Sequence, residues 1–306
     1  MKKINIAVIG LGHLGSVHTD IYSNIKDVKL VGVCDINPQK VSEFTKKYNI
    51  QGCTDIRYLF DKVDAVSIVV PTVCHYKVAY PFLERGIPVF LEKPMTATPE
   101  QALSLFNITK KTNTILQIGH IERFNPAIQF IRKVTKNPRF VECHRLAPYR
   151  PRGTDVSVIL DLMIHDIDII LTLINSKIRK INAVGTPVLS KEEDIANVRI
   201  EFENGAVANL TASRISSKSM RKIRLFERNM YISIDYSAQT AVLYKKVNNQ
   251  ILKKDIPIQK EQPLQKEIVS FINCVRNKTQ PVVSGKEGFE AVKLAFKIIR
   301  NIRRNG

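Results

Sequence analysis

The sequence has no long apolar run, few cysteines and fewer acidic than basic residues. No segment approaches the roughly 18 consecutive apolar residues of a membrane-spanning helix. The five cysteines lack a CxxC pair, so neither a disulfide framework nor a cysteine metal site is indicated. The lysines before the first apolar run imitate a secretion signal, but no small-residue cleavage site follows. We therefore expect a cytoplasmic protein with free thiols, no metal and no membrane contact.

The excess of basic residues is the one unusual global property. Lys and Arg number 47 against 28 Asp and Glu, which gives a net charge of +19. Such a charge would suit nucleic-acid binding. However, the basic residues are spread through the last third with few aromatic residues among them, and no nucleic-acid module is recognisable. We expect solvated basic faces and no nucleic-acid partner.

The first 119 residues alternate short β-rich runs with helical segments. This rhythm is typical of a doubly wound parallel sheet with helices on both faces. The predicted strands are Ile4–Ile9, Lys29–Cys34, Ala65–Val70, Pro88–Leu91 and Thr114–Ile118. The predicted helices between them are Leu14–Ile25, Pro38–Tyr48, Val73–Arg85 and Pro99–Thr112.

From residue 120 the pattern changes to consecutive strands with short turns. We predict an α/β domain with a large open, mainly antiparallel sheet. Its predicted strands are Arg139–Leu146, Ile178–Val184, Ala196–Phe202, Ala206–Ser213, Met220–Phe226, Tyr231–Tyr236 and Thr240–Lys246. The predicted helices are Pro126–Lys136, Leu264–Arg276 and Lys286–Arg303. The chain therefore has two predicted domains, 1–119 and 120–306.

The alternating strands also suggest how the protein assembles. One face of the sheet should be too apolar for water, since it would carry Val198, Ile200, Phe202, Val207 and Leu210. Exposed apolar patches of this size mark protein contacts. We therefore expect a homo-oligomer, a dimer or tetramer, joined through the second-domain sheet.

A glycine-rich loop follows the first predicted strand. The segment VIGLGHLG places Gly10, Gly12 and Gly15 in a GxGxxG frame around His13 and Leu14. The glycines allow a tight turn, close approach of a pyrophosphate and close helix–strand packing. Alone, the motif could be a glycine turn without a ligand.

An acidic residue supports the cofactor interpretation. Asp35 ends the second predicted strand, 20 residues after Gly15, where it can accept hydrogen bonds from both ribose hydroxyls. No Arg or Lys stands beside it to meet a 2′-phosphate. The combined pattern predicts NAD rather than NADP.

The segment DLMIHDIDII at 161–170 carries four polar residues in an apolar helix. Asp161, His165 and Asp168 are spaced i, i+4 and i+7, so they lie on one side, and Asp166 points elsewhere. Burying a charge without a partner is costly, so this stripe should face a partner, a cavity or a ligand. Taken alone, His165 would be read as a satisfied core histidine.

Three further segments resemble the glucose–fructose oxidoreductase, inositol dehydrogenase and rhizopine-catabolism (Gfo/Idh/MocA) family. They are PTVCHYKVAYPFLERGIPVFLEKP at 71–94, IGHIERFNP at 118–126 and DLMIHDID at 161–168. The resemblance implies an NAD-binding Rossmann domain and an open-sheet domain that commonly packs against another subunit.

The resemblance also implies roles for individual residues. In such enzymes the lysine matching Lys93 contacts the reacting hydroxyl and the histidine matching His165 is the base, with Asp161 nearby. The turn that presents the lysine is shaped by Glu92 and Pro94, and the nicotinamide side is lined by Pro71, Thr72 and His75. Arg123 and Asn125 border the substrate, although Arg123 fits a structural ion pair equally well. Asp168 reads as structural.

The chemistry of these groups agrees with oxidation of a secondary alcohol. NAD supplies the hydride acceptor. A histidine has a reference pKa of about 6.5, which suits removal of the hydroxyl proton near neutrality. A lysine ammonium beside the same oxygen stabilises the developing alkoxide.

Within the family, the chain resembles a subgroup that acts on nucleotide-linked sugars, through the segments GHIERFNP, ECHRLAPYRPRGTDV, LDLMIHDIDI and EDIANVRIEFENGAVANLTASRIS. This resemblance implies oxidation of C3 of UDP-N-acetylglucosamine for lipopolysaccharide biosynthesis. Arg145, Arg150 and Arg152 precede the polar helix and could hold a diphosphate, or else form a solvated basic loop. Two alternatives stay open: a dehydrogenase of a free polyol such as inositol, and a non-catalytic NAD-binding sensor or scaffold. The complete set of Lys93, Asp161 and His165 argues against the latter.

Overall fold

The first part of the chain forms a six-stranded parallel sheet flanked by helices. The computed structural model describes residues 2–150 and 156–305. The elements up to Gly119 are β1 (Ile4–Ile9), α1 (His13–Ser23), β2 (Val28–Cys34), α2 (Pro38–Tyr48), β3 (Gln51–Cys53), β4 (Ala65–Ile68), α3 (His75–Glu84), β5 (Val89–Glu92), α4 (Pro99–Thr112) and β6 (Leu116–Gly119).

The strand order, β3-β2-β1-β4-β5-β6, is that of a doubly wound sheet. In β1, Ile6, Ala7 and Val8 are fully buried, as expected for a central parallel strand covered on both faces. The order reverses between β1 and β4, and the glycine-rich loop leaves β1 at this switch point. Doubly wound folds bind their ligands at such points.

A second sheet follows, with eight strands. The elements are α5 (Pro126–Val134), β7 (Phe140–Leu146), α6 (Ile164–Leu173), β8 (Ile178–Thr186), β9 (Ile195–Phe202), β10 (Val207–Ser213), β11 (Met220–Glu227), β12 (Met230–Asp235), β13 (Thr240–Val247), β14 (Gln250–Ile256), α7 (Pro263–Asn277) and α8 (Gly285–Asn305). The strand order is β14-β13-β12-β11-β7-β10-β9-β8, with β7 and β10 parallel and all other neighbouring strands antiparallel. The predicted fold class is confirmed.

The chain divides into two compact units. We call Met1–His120 with Leu264–Val292 the N-terminal unit, and Ile121–Pro263 with Lys293–Gly306 the C-terminal unit. The division after residue 120 lies one residue from the predicted one. The predicted second domain, 120–306, is nevertheless wrong for 264–292, because Ile268, Phe271 and Ile272 of α7 join the same core as β1.

The two faces of the second sheet differ from our prediction. Val198, Ile200, Phe202 and Leu210 are at most 1% exposed, so they form the buried face. The helices α5 and α6 contact strands β12 and β7 of this sheet. Val207 lies on the opposite face, since side chains alternate along a strand. Four of the five apolar residues that we expected to be exposed are therefore core, and Val207 is half-buried on the other face.

The opposite face, which we call the outer face, carries a row of aromatic rings. Phe140, Phe226, Tyr231 and Tyr244 are direct neighbours on β7, β11, β12 and β13. Their ring centroids are 5.5, 4.7 and 5.0 Å apart along the row, and all four side chains are half-buried. Arg224 and Glu142 form an ion pair on the same face at 3.3 Å.

Two kinds of feature are absent from the described part of the chain. None of its helices combines the length and apolar character needed to cross a membrane. Within residues 2–150 and 156–305, no group of three or more His, Cys, Asp or Glu side chains is arranged to hold a metal ion.

Candidate active site

The glycine-rich loop has a separate reason for each of its three glycines. Gly10 adopts a φ of 93°, and a Cβ there would lie 2.5 Å from the Val69 carbonyl oxygen. At Gly15 a Cβ would lie 1.8 Å from the Gly10 oxygen. At Gly12 a Cβ would meet no heavy atom within 4 Å. The fold itself therefore requires Gly10 and Gly15, whereas Gly12 keeps a space open.

That open space lies at the start of α1. Gly12 immediately precedes the helix, and among the described residues no side chain caps this end. His13 and Leu14 begin the helix, and the His13 side chain is exposed. Uncapped N–H groups and the helix dipole favour an anion at such a position. The loop fits the pyrophosphate of NAD.

Asp35 lies beside this loop at the end of β2. Its Oδ2 accepts a hydrogen bond from the Leu11 backbone N–H at 2.7 Å, and its Oδ1 accepts one from Asn37 at 2.9 Å. A carboxylate has about four lone-pair sites, so further hydroxyl groups can donate to it. The neighbouring Ile36 side chain is 93% exposed and carries no charge. The site fits a ribose with free hydroxyls.

The segment Pro71–His75 has one buried anchor. Pro71 is exposed and Thr72 half-buried, while His75 is 1% exposed. The ring nitrogens of His75 lie 2.8 Å from the Pro94 oxygen and 2.9 Å from the Val70 oxygen. Burial lowers the pKa of His75 despite these carbonyls. The His75 side chain therefore ties Val70 to Pro94, while Pro71 and Thr72 form the accessible part.

The turn Glu92-Lys93-Pro94 contains a cis peptide bond between Lys93 and Pro94. The Glu92 carboxylate accepts a hydrogen bond from the Lys93 backbone N–H at 3.2 Å. Burial raises the pKa of Glu92, but the His18 ring and the Lys93 charge outweigh this and hold it below its ordinary value. Lys93 itself is half-buried. The turn thus combines an ionised Glu92, whose side chain is 13% exposed, with a half-buried Lys93.

In the C-terminal unit, the polar helix begins with a π-helical turn at Ile159–Met163 and continues as α6. Asp161 and His165 are half-buried. Their apolar neighbours Met163, Ile164 and Ile167 are fully buried. The aspartate and the histidine are therefore both partly accessible, whereas Asp168, predicted on the same side, is buried. π-Helical turns often occur at functional sites.

The two remaining acids of this helix are held by buried arginines. Arg123 donates two hydrogen bonds to Asp168, at 2.6 and 2.8 Å. Arg145 donates two to Asp166 at 3.0 Å and one to Glu122 at 3.1 Å. Burial raises the pKa of Asp166 although Arg145 opposes the shift. Asp168 is 1% exposed, so it does not share the accessible side with His165.

These pairs correct part of the predicted substrate set. Arg123 is the structural ion pair of the two alternatives, and the diphosphate role of Arg145 is wrong because its guanidinium is enclosed by carboxylates. Asn125, 3% exposed, caps α5 and donates to the Tyr236 oxygen. Arg150 is exposed. Arg152 lies outside the described residues.

His18 was not singled out from the sequence, and Arg145 was not placed in the interior. His18 is fully buried and contacts Glu92 at 3.2 Å. Its position one turn before Tyr22, on the buried side of α1, was an available signal. Arg145 lies on the same buried face of β7 as Val141 and Cys143. The two-residue period of a strand therefore indicated that Arg145 is inside.

Comparison with known proteins identifies the family. A model described as "Oxidoreductase family, NAD-binding Rossmann fold" matches residues 4–120, and one described as "GFO/IDH/MocA C-terminal domain" matches 136–232. UDP-N-acetylglucosamine 3-dehydrogenase of Acidithiobacillus ferrooxidans is 33% identical over 97% of both chains. The chain belongs to the Gfo/Idh/MocA family. This confirms the resemblance, and the chain is an oxidoreductase that binds NAD.

Other Gfo/Idh/MocA proteins extend the comparison. The solved structure of the Acidithiobacillus enzyme superposes with a TM-score of 0.93 and covers 99% of both chains. scyllo-Inositol 2-dehydrogenase (NAD(+)) of Bacillus subtilis is 26% identical over 92% of this chain and 89% of its own. scyllo-Inositol dehydrogenase from Lactobacillus casei, with bound NAD(H) and scyllo-inositol, has a TM-score of 0.84 at 20% identity and covers 99% and 98% of the two chains. The last likeness establishes the fold alone.

Proposed function

We propose that this protein oxidises a secondary hydroxyl of a nucleotide-linked sugar to a ketone, at C3 of UDP-N-acetylglucosamine. One observation carries the catalytic part: of the four polar residues at 161–168, only Asp161 and His165 are half-buried, while the other two are buried. The other two acids are committed to arginines. The substrate rests on the relative that is 33% identical over the full length.

Each residue has one task in this proposal. NAD would be held by the glycine-rich loop and Asp35, and it would supply the hydride acceptor. His165 removes the hydroxyl proton, and Asp161, one turn earlier, orients the ring or binds the sugar. Lys93 stabilises the alkoxide charge through its ammonium group. Removal of a general base lowers rates by about 10²–10⁴-fold, and removal of an oxyanion donor by about 10²–10³-fold.

We assign recognition of the diphosphate to Arg150 and Arg152. Arg150 is exposed, while Arg145 and Arg123 are excluded by their buried ion pairs. A guanidinium group can bind phosphate oxygens with two parallel hydrogen bonds. Replacing either arginine by alanine should raise KM for a UDP-sugar and leave NAD affinity unchanged. The exposed Arg228 of the β11–β12 turn gives the matched control, Arg228→Ala.

The test is NADH formation with a set of sugars. UDP-N-acetylglucosamine should give a far higher kcat/KM than N-acetylglucosamine, UDP-glucose or myo-inositol. Activity confined to free sugars or polyols would overturn the nucleotide-sugar assignment. Unchanged KM in both Arg150→Ala and Arg152→Ala would overturn the diphosphate assignment. An absence of NADH with every secondary alcohol would overturn the dehydrogenase proposal itself.

A polyol dehydrogenase is the second candidate. Inositol 2-dehydrogenases are among the relatives, including that of Thermotoga maritima, which is 24% identical over 96% of this chain. That reaction would use the same Lys93, Asp161 and His165. It needs no diphosphate contact, so a myo-inositol activity insensitive to Arg150→Ala would favour it.

We also propose that two copies of the chain pair through the outer face. Four half-buried aromatic rings in one row form an apolar strip on it. The same face carries both Arg224 and Glu142, and mixed charges allow a surface to pair with its own copy. The proposal retains the predicted homo-oligomer. Its interface is the aromatic row of the outer face instead of the apolar residues that are buried in the core.

A further inference from the structure

A buried cluster of polar groups lies behind Lys93 in the N-terminal unit. His18 of α1 is fully buried, with Nδ1 2.9 Å from the Ser67 hydroxyl of β4. Its Nε2 lies 3.2 Å from Oε1 of Glu92 at the end of β5. None of the tasks assigned above uses His18. A buried histidine that faces a carboxylate nevertheless needs a reason, since buried charges are costly.

Glu92 is enclosed on several sides. His18 contacts one carboxylate oxygen and the Lys93 backbone N–H donates to the other, at 3.2 Å. A Cβ at Gly119 would lie 3.0 Å from the Glu92 carboxyl carbon, so the carboxylate packs directly on the glycine. An ionised carboxylate only accepts hydrogen bonds, so a proton on the His18 Nε2 would strengthen this 3.2 Å contact. The carboxylate therefore has one tightly fixed position.

We propose that His18 is a positioning residue for Lys93: it fixes the Glu92 carboxylate, which in turn fixes the backbone from which Lys93 projects. The proposal rests on the proposed role of Lys93 in alkoxide stabilisation. Misplacement of a reacting group by about 1 Å can cost about 10²-fold in rate. We expect His18→Phe to lower kcat by about 10- to 100-fold.

NAD affinity should change little in this variant. The start of α1 is stabilised without His18, because the Thr19 hydroxyl donates a hydrogen bond to the Gly15 oxygen at 2.7 Å. Gly10 and Gly15 also pack independently of His18. The expected result is thus a fall in kcat with an NAD dissociation constant within about threefold of wild type, and the latter is measured by fluorescence titration.

The pH profile separates positioning from simple structural damage. The groups that act on Glu92 are His18 and Tyr22 of α1, Lys93 of the turn and His75 of α3. Without His18, burial is less opposed, so the pKa of Glu92 should rise. A carboxyl with a raised pKa ionises only as pH increases, so kcat of His18→Phe should recover toward alkaline pH. His18→Gln retains a donor and should restore much of the rate.

Two matched variants complete the design. Ser23→Ala removes a hydroxyl from the exposed end of the same helix and should keep kcat within about twofold. Gly119→Ala leaves His18 in place but presses on the Glu92 carboxylate, so it should lower kcat even if His18→Phe fails to fold. The double variant His18→Phe/Glu92→Gln should have a kcat no lower than that of the more impaired single variant, because both changes act through the same His18–Glu92 contact.

A readout without turnover keeps the two proposals distinguishable. The rate at which an amine-reactive reagent labels Lys93, measured by mass spectrometry, should change severalfold in His18→Phe and Gly119→Ala. The labelling rates of the other lysines should be unaffected. This result supports the positioning role even if no sugar is oxidised. Unchanged Lys93 labelling in both variants, or kcat within twofold of wild type in both, would overturn it.

Discussion

The buried pairing of Arg145 with Asp166 and Glu122 gives the sharpest stability prediction. Arg145→Met keeps an unbranched stem, without the guanidinium group, and removes three hydrogen bonds to carboxylates, at 3.0, 3.0 and 3.1 Å. The Arg145, Asp166 and Glu122 side chains are 4%, 1% and 9% exposed. Removing one partner of a buried ion pair costs about 3–5 kcal/mol. We expect a loss of that size in the free energy of unfolding at neutral pH.

The pH dependence of this loss has a definite sign. Burial raises the pKa of Asp166 even with Arg145 present, and removing the arginine should raise it further. A carboxyl whose folded-state pKa is raised contributes stability below its unfolded pKa and loses it as pH rises through the folded value. The cost of Arg145→Met should therefore shrink in mildly acidic buffer and be largest at neutral pH and above.

The assay is urea unfolding followed by circular dichroism, since the chain contains no tryptophan. Because two compact units can unfold separately, hydrogen exchange of peptides from α6 should locate the loss. Arg179→Met is the matched control, since Arg179 pairs with Glu201 at 2.6 Å on the surface and should not shift the midpoint. A loss below about 1 kcal/mol, or effects of Arg145→Met and Asp166→Asn that simply add, would refute the reasoning.

Three further predictions concern the cofactor and assembly. Asp35→Ala should weaken NAD binding more than NADP binding in fluorescence titrations, and a wild-type preference for NADP would contradict this. Gly12→Ala should fold normally but lose NAD affinity, whereas Gly15→Ala should lower the melting temperature, because only the latter meets protein atoms; equal thermal stability of the two variants would count against it. Light scattering at micromolar concentration should show a dimer or tetramer, with Tyr231→Lys shifting it toward monomer, and a wild-type monomer would end the interface proposal.

The sequence allowed the parallel sheet to be predicted because its strands are short buried runs between helices. Two strands were missed for physical reasons. β3 has only three residues, and β14 is an edge strand whose residues are almost all exposed, so neither shows a hydrophobic pattern. The assignment of α7 to the N-terminal unit was also missed, because amphipathic periodicity shows that a helix has a buried side but not which core receives it.

The sequence indicated accessible polar residues of the candidate site, but not which buried residues form ion pairs. The spacing of Asp161 and His165 predicted a shared accessible side. Asp168 was placed with them because helical spacing does not show which partner covers a side chain, and Arg123 covers Asp168. Arg123 binds Asp168, which lies in a distant segment of the sequence. A local sequence pattern does not show which distant carboxylate an arginine binds.

The central claim is that His165 acts as a base in NAD-dependent oxidation of a sugar hydroxyl. The most direct measurement compares kcat for NADH formation from UDP-N-acetylglucosamine in wild type, His165→Asn and Lys93→Met, with NAD affinity measured alongside. We expect falls of about 10²–10⁴-fold for the histidine variant and about 10²–10³-fold for the lysine variant, at unchanged NAD affinity. Near-normal turnover in His165→Asn would contradict the account.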